Sequence, residues 1–509
     1  MRSPLPRLSR PLLDALPDGL VSDAAAARPV RVVQFGTGAL LRGLVGDLVD
    51  EANRAGRFDG SIAMVGQTGS GRSDALAAQS GLYTLGIRGL DADGRPLERY
   101  RVVAATAFAL DARTEWDAVL ALARRQEVQS VVSNTTEAGL RFSPDDRSGA
   151  LPPVSFPAKL TAFLYERART FGFEPAFGVV VLPLELVEHN GPLLRRLVRE
   201  LSERWELDAR FGPWLDAGCR FPATLLDRIV PGTPPPDEHA ALEARLGYRD
   251  ALLTLAEPFR FLAIEGDETL RSRVQWLEAA GVEVVPDIGP YRLRKVYILN
   301  GAHTAMAPLA LLCGLQTVGE AVQDEALGAF TRRLIFEEIV PVLALDRRPT
   351  ERFAQDVLRR FANPFVHHAL RSITLQQTAK VRVRLVPTLL DHAERGTQPP
   401  PALSLAFAAY LHSLRPGQIE GLEADDEAAP LVDRWRALDH VPKPEAQVRF
   451  VGDVLGRADL WGHDLTRLLG FAEAVSENLT RLVGEGPRAA LARLLSGAGA
   501  RAHVGSILA

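Results

Sequence analysis

Lysine is scarce in this chain, and the scarcity points to chemistry. Four lysines stand against 55 arginines in 509 residues, a skew of the kind that a GC-rich coding background produces. Under that bias a position that needs only a surface cation drifts to arginine. Arginine keeps its proton at any working pH, whereas a desolvated lysine can titrate near neutrality. Lys159, Lys295 and Lys380 lie in motif-like stretches, and Lys443 sits in the loop-like HVPKPEA. The stretch RKVYILNGAHTAM, residues 294–306, adds Asn300 and His303 to Lys295 in an otherwise mostly apolar segment. On a straight α-helix the three lie at about 0°, 140° and 80°, on one broad face. Gly301 and Ala302 leave room for close approach of a ligand or of another helix. A solvated polar stripe would use the same residue types, but the apolar flanks VYIL and AMAPLALL argue for burial. A buried lysine can serve as general acid or base, an asparagine can hold a carbonyl or alkoxide, and a histidine can orient a hydroxyl. The spacing predicts a catalytic set of Lys295, Asn300 and His303.

Such a set needs elements to position it and a co-reactant. VRVVQF is a β-branched run ending at Gly36, and ALLRGLVGDLVDEANRAG has apolar residues at helical spacing up to Gly56. Strand, glycine turn and helix in that order suit a dinucleotide site, with Gly36 making the turn and Gly38 admitting the pyrophosphate to the helix N-terminus. The third glycine of the usual fingerprint is replaced by Leu41, with Gly43 two residues on. A plain turn would leave the same pattern. GSIAMVGQT reads as the second strand. Gln67 and Thr68 stand where NAD enzymes place an acid for the adenosine ribose, Asp74 lies too far along, and Arg72 reads as a surface cation. VVSNTTEAGL delivers Asn134, Thr135, Thr136 and Glu137 to the C-terminal end of a further strand. Ligands bind at such ends in doubly wound sheets, although a polar capping turn reads the same way.

Further strands are expected at RYRVVAATAF and FGVVVLPLE, and helices near 114–126, 156–171 and 192–206. The alternation predicts a parallel α/β sheet. From about residue 290 strand-like runs disappear, and amphipathic stretches take over at 291–313, 323–345, 350–361, 366–394, 402–413, 445–456 and 462–495. The expected organisation is a lead-in over 1–29, a Rossmann-type doubly wound domain over 30–289 and a mainly α-helical domain over 290–509.

Composition narrows the function classes. The hydrophobic share of 47% and charged share of 24% are ordinary for a globular protein. A net charge of -4 gives no footing for nucleic acid or an anionic membrane. No apolar run approaches the roughly 20 residues of a membrane span. The first twenty residues lack the continuous apolar core and cleavage site of a secretory signal, so a cytoplasmic location is expected. Cys219 and Cys313, far apart, exclude a disulfide scaffold and a cysteine-rich zinc site.

The phrases FGTGALLRG, NTTEAG, LLDRIVPG, RFANPF and above all RKVYILNGAHTA resemble the mannitol dehydrogenase family of long-chain polyol-specific dehydrogenases. The resemblance runs from about residue 30 to near the C-terminus. It implies a zinc-independent dehydrogenase with an N-terminal Rossmann-type domain, a helical C-terminal domain and an active site in the cleft between them. It implies NAD as cofactor, with NADP open, held by Phe35, Gly36, Gly38, Leu40, Arg42, Gln67, Asn134, Thr135 and Thr136. Lys295 takes the family's acid/base role, and Asn300 and His303 match its substrate-orienting pair. Glu185, Asp227, Arg371 and Lys380 are the implied substrate contacts, and no metal is implied. Mannitol-oxidising members carry Asp-Asn where this chain has Glu185-Leu186. SNTTEAG, FPAKLTAFLYER and LPLELVEHNG are similar to phrases of uronate-reducing members. A small-molecule keto-uronate and its aldonate are therefore the expected substrates, and their carboxylate would give Lys380 or Arg371 a partner. A different keto-uronate, mannitol, or a non-reductive role as an isomerase or sensor with bound NAD stay open at this stage.

Overall fold

β1 (Val30–Phe35) is apolar on both sides because helices cover both faces of its sheet. The structure is a computed structural model that describes residues 5–17, 20, 27–135, 139–422, 424–438 and 443–496. These divide into two compact units. One takes in the described residues of Met1–Arg88 and Leu97–Ile288, the other those of Gly89–Pro96 and Gly289–Ala509.

In the first unit β2 (Ser61–Gly66), β3 (Tyr83–Leu90), β4 (Pro96–Val103), β5 (Thr106–Asp111), β6 (Ser130–Ser133) and β7 (Val180–Pro183) follow β1. A parallel five-stranded sheet has the order β5-β2-β1-β6-β7. Val32, Met64 and Val132 pack on the helical run that starts at Ala39. Val33, Phe35, Ala63, Val65, Val131 and Val181 pack on the opposite side, with the helices Trp116–Ala123, Phe156–Thr170 and Asn190–Arg204. The two-residue alternation thus splits one apolar run between two cores, as expected for a sheet buried on both faces. The fold is a doubly wound α/β unit joined to a mainly α-helical one.

RYRVVAATAF, expected as one strand, is two. Asp50 accepts the Ala104 N–H at 3.0 Å between β4 and β5, which diverts the backbone from its ladder. β5 joins the large sheet, while β4 joins β3 and β9 (Thr254–Ala256). A third sheet, β11-β10-β8, comprises β8 (Thr224–Asp227), β10 (Phe261–Glu265) and β11 (Val282–Val285). These last four strands are three to five residues long, too short to carry a clear periodicity.

One carboxylate ties the small sheets to the large one. Asp47, 1% exposed, lies on the run Ala39–Leu41, Arg42–Gly46 and Asp47–Arg54. Arg228, just after β8, donates to it at 2.6 Å, Arg260, just before β10, at 2.8 Å, and Arg101 of β4 also pairs with it. Removing one partner of a buried ion cluster leaves charges that neither water nor protein offsets, and costs ~3–5 kcal/mol. Asp47→Asn is expected to lower unfolding stability by that amount in chemical denaturation. A loss below ~1 kcal/mol would show that the cluster is not needed to hold the sheets together.

In the second unit the helix Gly301–Leu312 packs against Pro401–Ser413, Leu370–Ile373 and Gln377–Arg384. Residues 402–413 were expected to be amphipathic, yet Ala402 to Ser413 are all buried. Three of the polar members are satisfied internally: Ser404 Oγ donates to Pro400 O, Ser413 Oγ to Tyr410 O, and the Tyr410 hydroxyl meets Thr378 Oγ1. The stretch 366–394 is broken at Gln376, whose φ of +52° lies in the left-handed region, and resumes as two further helices. No helix among the described residues is long and apolar enough to cross a membrane.

Glu338 accepts the Ala402 and Leu403 N–H groups at 2.7 and 2.9 Å, at the positive end of the buried helix. Burial outweighs those bonds and pushes its carboxyl from the ordinary 4.5 up to about 7. A carboxyl raised on folding stabilises most when protonated in both states, below about pH 4.5, and that contribution is lost as pH rises through about 7. Glu338→Gln is expected to flatten the fall in thermal midpoint between these pH values. Identical pH slopes for the two proteins would refute the assignment.

Candidate active site

The glycine turn is built for a close approach. Gly36 has φ +127°, a conformation open to glycine, and its N–H donates to Val65 O at 2.9 Å. A Cβ there would come within 2.9 Å of the Leu41 side chain. A Cβ on Gly38 would meet nothing within 4 Å, so the backbone opening the helix at Ala39 faces open space. The turn also stands at the C-terminal end of β1, where the chain reverses from β2 on one side to β6 on the other. That crevice is where doubly wound sheets hold nucleotides, and the observed backbone fits a dinucleotide phosphate.

Several predicted cofactor residues act from within the protein. Arg42 is 2% exposed, and its guanidinium donates to Thr37 O and to Thr254 Oγ1 at 3.0 and 3.2 Å. It holds the turn from beneath, and burial lowers its pKa. The Phe35 ring is fully buried, 5.5 Å from that of Phe156. Leu40 is half-buried beside the core. The missing third glycine has substitutes. A Cβ on Gly43 would come within 2.9 Å of Val230, and one on Gly46 would collide with the Tyr83 hydroxyl. That hydroxyl donates to Arg42 O at 2.9 Å, inside the π-helical segment Arg42–Gly46. A side chain inserted into the ladder is a recognised cause of such a widened turn.

Gln67 is half-buried just past β2. Asn134 Nδ2 donates to Leu184 O at 2.6 Å, and the Thr135 N–H donates to Glu185 at 2.9 Å. Thr136 lies outside the described residues. Glu185, 2% exposed, also accepts from Ser133 Oγ at 3.3 Å, and burial raises its pKa. The loops after β6 and β7 are thus locked together through the Glu-Leu position. Asp227 is buried in β8. Lys159, left unassigned by its motif, donates to Val154 O at 2.5 Å and is a structural anchor.

In the second unit Lys295 opens a π-helical segment, Lys295–Asn300, which runs into Gly301–Leu312. A π turn takes more residues per turn, so each residue advances by less than 100°. Asn300 and His303 therefore turn closer to the azimuth of Lys295 than a straight α-helix would bring them. Lys295, Asn300 and His303 are each half-buried, and Ile298 and Leu299 face the core. Pro308 lacks the N–H that would reach Thr304 O. Gln377 Nε2 supplies the replacement at 2.8 Å. Thr304 Oγ1 donates to Asn300 O at 2.8 Å and accepts from Arg384 at 3.2 Å. The small Gly301 serves helix packing, since a Cβ there would lie 3.4 Å from Arg384 O.

The His303 ring packs at a tilt on Phe361 at 4.1 Å and meets the His368 ring at 5.0 Å. Its Nε2 is buried without a hydrogen-bond partner among the described residues. Burial, then the charges of His368, Arg360, Arg384 and Lys380, hold its pKa well below the ordinary value. The ring is neutral at physiological pH. Lys380 donates to Ile373 O at 2.8 Å, with its pKa lowered first by burial and then by Arg384. Arg371, proposed with it, is exposed beside Gly421 and does not join these groups.

Arg360, His368 and Arg384, which also bear on His303, are not among the site residues expected from the motifs above. A signal for them existed: residues 357–390 contain six arginines and lysines, two histidines and no acid. A cavity of about 1300 Å³ in the first unit, bordered by Arg195, Asp216, Arg220 and Arg273, is lined by none of the predicted site residues.

Family models for the mannitol dehydrogenase Rossmann domain and the mannitol dehydrogenase C-terminal domain match residues 30–278 and 287–483. The chain is 41% identical over 472 residues to altronate oxidoreductase of Pectobacterium atrosepticum, covering 91% of this chain and 96% of that one. Altronate oxidoreductase of Klebsiella pneumoniae is 39% identical, over 92% of this chain and 97% of that one. Two solved structures share the fold. One is Pseudomonas fluorescens mannitol 2-dehydrogenase in ternary complex with NAD and D-mannitol, with TM-score 0.67, 22% identity and coverage of 96% and 99% of the two chains. The other is substrate-free D-sorbitol dehydrogenase, with TM-score 0.74, 21% identity and coverage of 95% and 100%. The chain belongs to the mannitol dehydrogenase family of oxidoreductases.

Proposed function

We propose that this protein catalyses the reversible NADH-dependent reduction of a keto-hexuronate, tagaturonate, to its aldonate, altronate. The observation that carries the reading is the Lys295, Asn300 and His303 helix with the cations Lys380, Arg360 and Arg384 gathered about His303, in a chain whose curated relatives at about 40% identity are altronate oxidoreductases. The cations suit an anionic ketose better than a neutral one. NADH, when bound, supplies the hydride.

The remaining work falls to this chain's own groups. The turn at Gly36 and Gly38 receives the phosphates, with Arg42 fixing its shape through Thr37 O. Gln67, Asn134 and Thr135 border the same crevice, and Glu185 sets the loop that Thr135 belongs to. Lys295, as ammonium, gives its proton to the carbonyl oxygen as that oxygen gains charge, and takes it back in the oxidation direction. Asn300 donates a hydrogen bond to the same oxygen. His303 is neutral, so it orients substrate through Nε2 rather than supplying the proton. That leaves the proton to Lys295. Lys380 faces the anionic end of the substrate.

Lys295→Ala is expected to lower kcat by about 10²–10⁴-fold, the usual worth of a positioned acid/base, with NADH affinity by fluorescence titration unchanged. Turnover close to wild type would refute the role. Loss of NADH absorbance with tagaturonate, fructuronate and fructose in parallel, repeated with NADPH, tests the substrate and the cofactor together. Fast loss with tagaturonate and NADH is the expected outcome. Loss with fructose alone would overturn the uronate reading.

A further inference from the structure

Three buried arginines, Arg228, Arg167 and Arg42, are held by the protein's own groups. Arg228 pairs with Asp47 and donates twice to Glu257 O. Arg167 donates to the carbonyls of Phe177, Ala123, Arg125, Gln126 and Val128. Arg42 holds Thr37 O and Thr254. Arg384 is half-buried at the end of the helix Gln377–Arg384, and its one hydrogen bond among the described residues goes to the Thr304 hydroxyl at 3.2 Å. No carboxylate among the described residues pairs with it. A guanidinium withdrawn from water without an anion costs free energy that one neutral hydrogen bond among the described residues offsets only in part.

The surroundings share that deficit. His303 Nε2 and Gln377 Oε1 are both buried without a partner among the described residues, and Gln377 is only 5% exposed. The His368 ring lies 5.0 Å from His303, and the positive charges of Arg360 and Lys380 bear on the same ring. The position along the helix is also informative. Thr304, which fixes Arg384, lies about one turn beyond Asn300, about 6 Å along the axis. In tagaturonate the keto carbon and the carboxylate carbon are four carbon–carbon bonds apart, a separation comparable with one turn.

We propose that Arg384 binds the substrate carboxylate, with His368 lining the same pocket, so that Lys295 and Asn300 meet the ketone while Arg384 decides that the ketose must be anionic. This rests on the uronate reading above and adds the residue that selects for it. A planar fork against a carboxylate gives two parallel N–H donors, which the single ammonium of Lys380 does not reproduce.

The test is steady-state NADH oxidation by the full-length protein with tagaturonate and with fructose, for wild type, Arg384→Gln and Arg384→Lys. Arg384→Gln is expected to raise KM for tagaturonate by about 10- to 100-fold, the worth of a hydrogen bond to a charged group, with kcat changed by less than about threefold. Arg384→Lys should restore part of the loss. NADH binding by fluorescence and the thermal midpoint should stay at wild-type values, which separates lost recognition from misfolding. An unchanged KM, or a loss confined to kcat, in either variant would overturn the inference while the uronate reading stands. A wild-type protein that reduces fructose and not tagaturonate would overturn both.

Discussion

Asp47 carries its charge in the interior of the first unit, where three arginines from three stretches of chain converge on it. It sits on the helical run that begins at the glycine turn, and its partners lie in or next to strands of the two smaller sheets. The large sheet, the turn and the small sheets are therefore placed by one desolvated cluster. Desolvation makes the demand stringent: with burial lowering Arg228 to about 9 and Arg101 to about 10, each cation keeps its place because the carboxylate is there. The helix cannot shift along the sheet without breaking the cluster, so Gly36 and Gly38 are held at the mouth of the crevice.

The same helix is placed sterically by its two later glycines. Gly43 admits Val230, and Gly46 admits Tyr83, whose hydroxyl takes a carbonyl from the helical ladder. A nucleotide fingerprint with an apolar residue at its third glycine position can still pack its helix closely, because small residues farther along do the same work. Arg42 completes the arrangement by gripping the turn from the core side.

In the second unit the central constraint is a helix that departs from regularity twice. The π segment at 295–300 gathers three polar side chains towards one azimuth, and Pro308 removes an N–H that Gln377 replaces from the neighbouring helix. The replacement brings Gln377 and Arg384 against Thr304, beside His303. Packing and electrostatics are then the same event. The helix that repairs the proline defect also brings Arg384 and Lys380 to bear on His303, whose pKa burial already lowers.

The sequence by itself determined what local pattern can carry. The order of strand, glycine turn and helix, the alternation of the first half, the helical second half and the chemical identities of Lys295, Asn300 and His303 were all legible, because periodicity and residue type act over a few neighbouring positions. Tertiary structure decided the rest. It turned Arg42 inward to the protein's own carbonyls, made Lys159 an anchor, left Arg371 on the surface and buried 402–413 on every side. It also gathered Arg360, His368 and Arg384 around one histidine. Nothing in the local sequence separates Arg228, which finds Asp47 across 181 positions, from Arg384, which finds no acid among the described residues. The worth of a buried charge depends on neighbours distant in the chain, and only the folded packing chooses them.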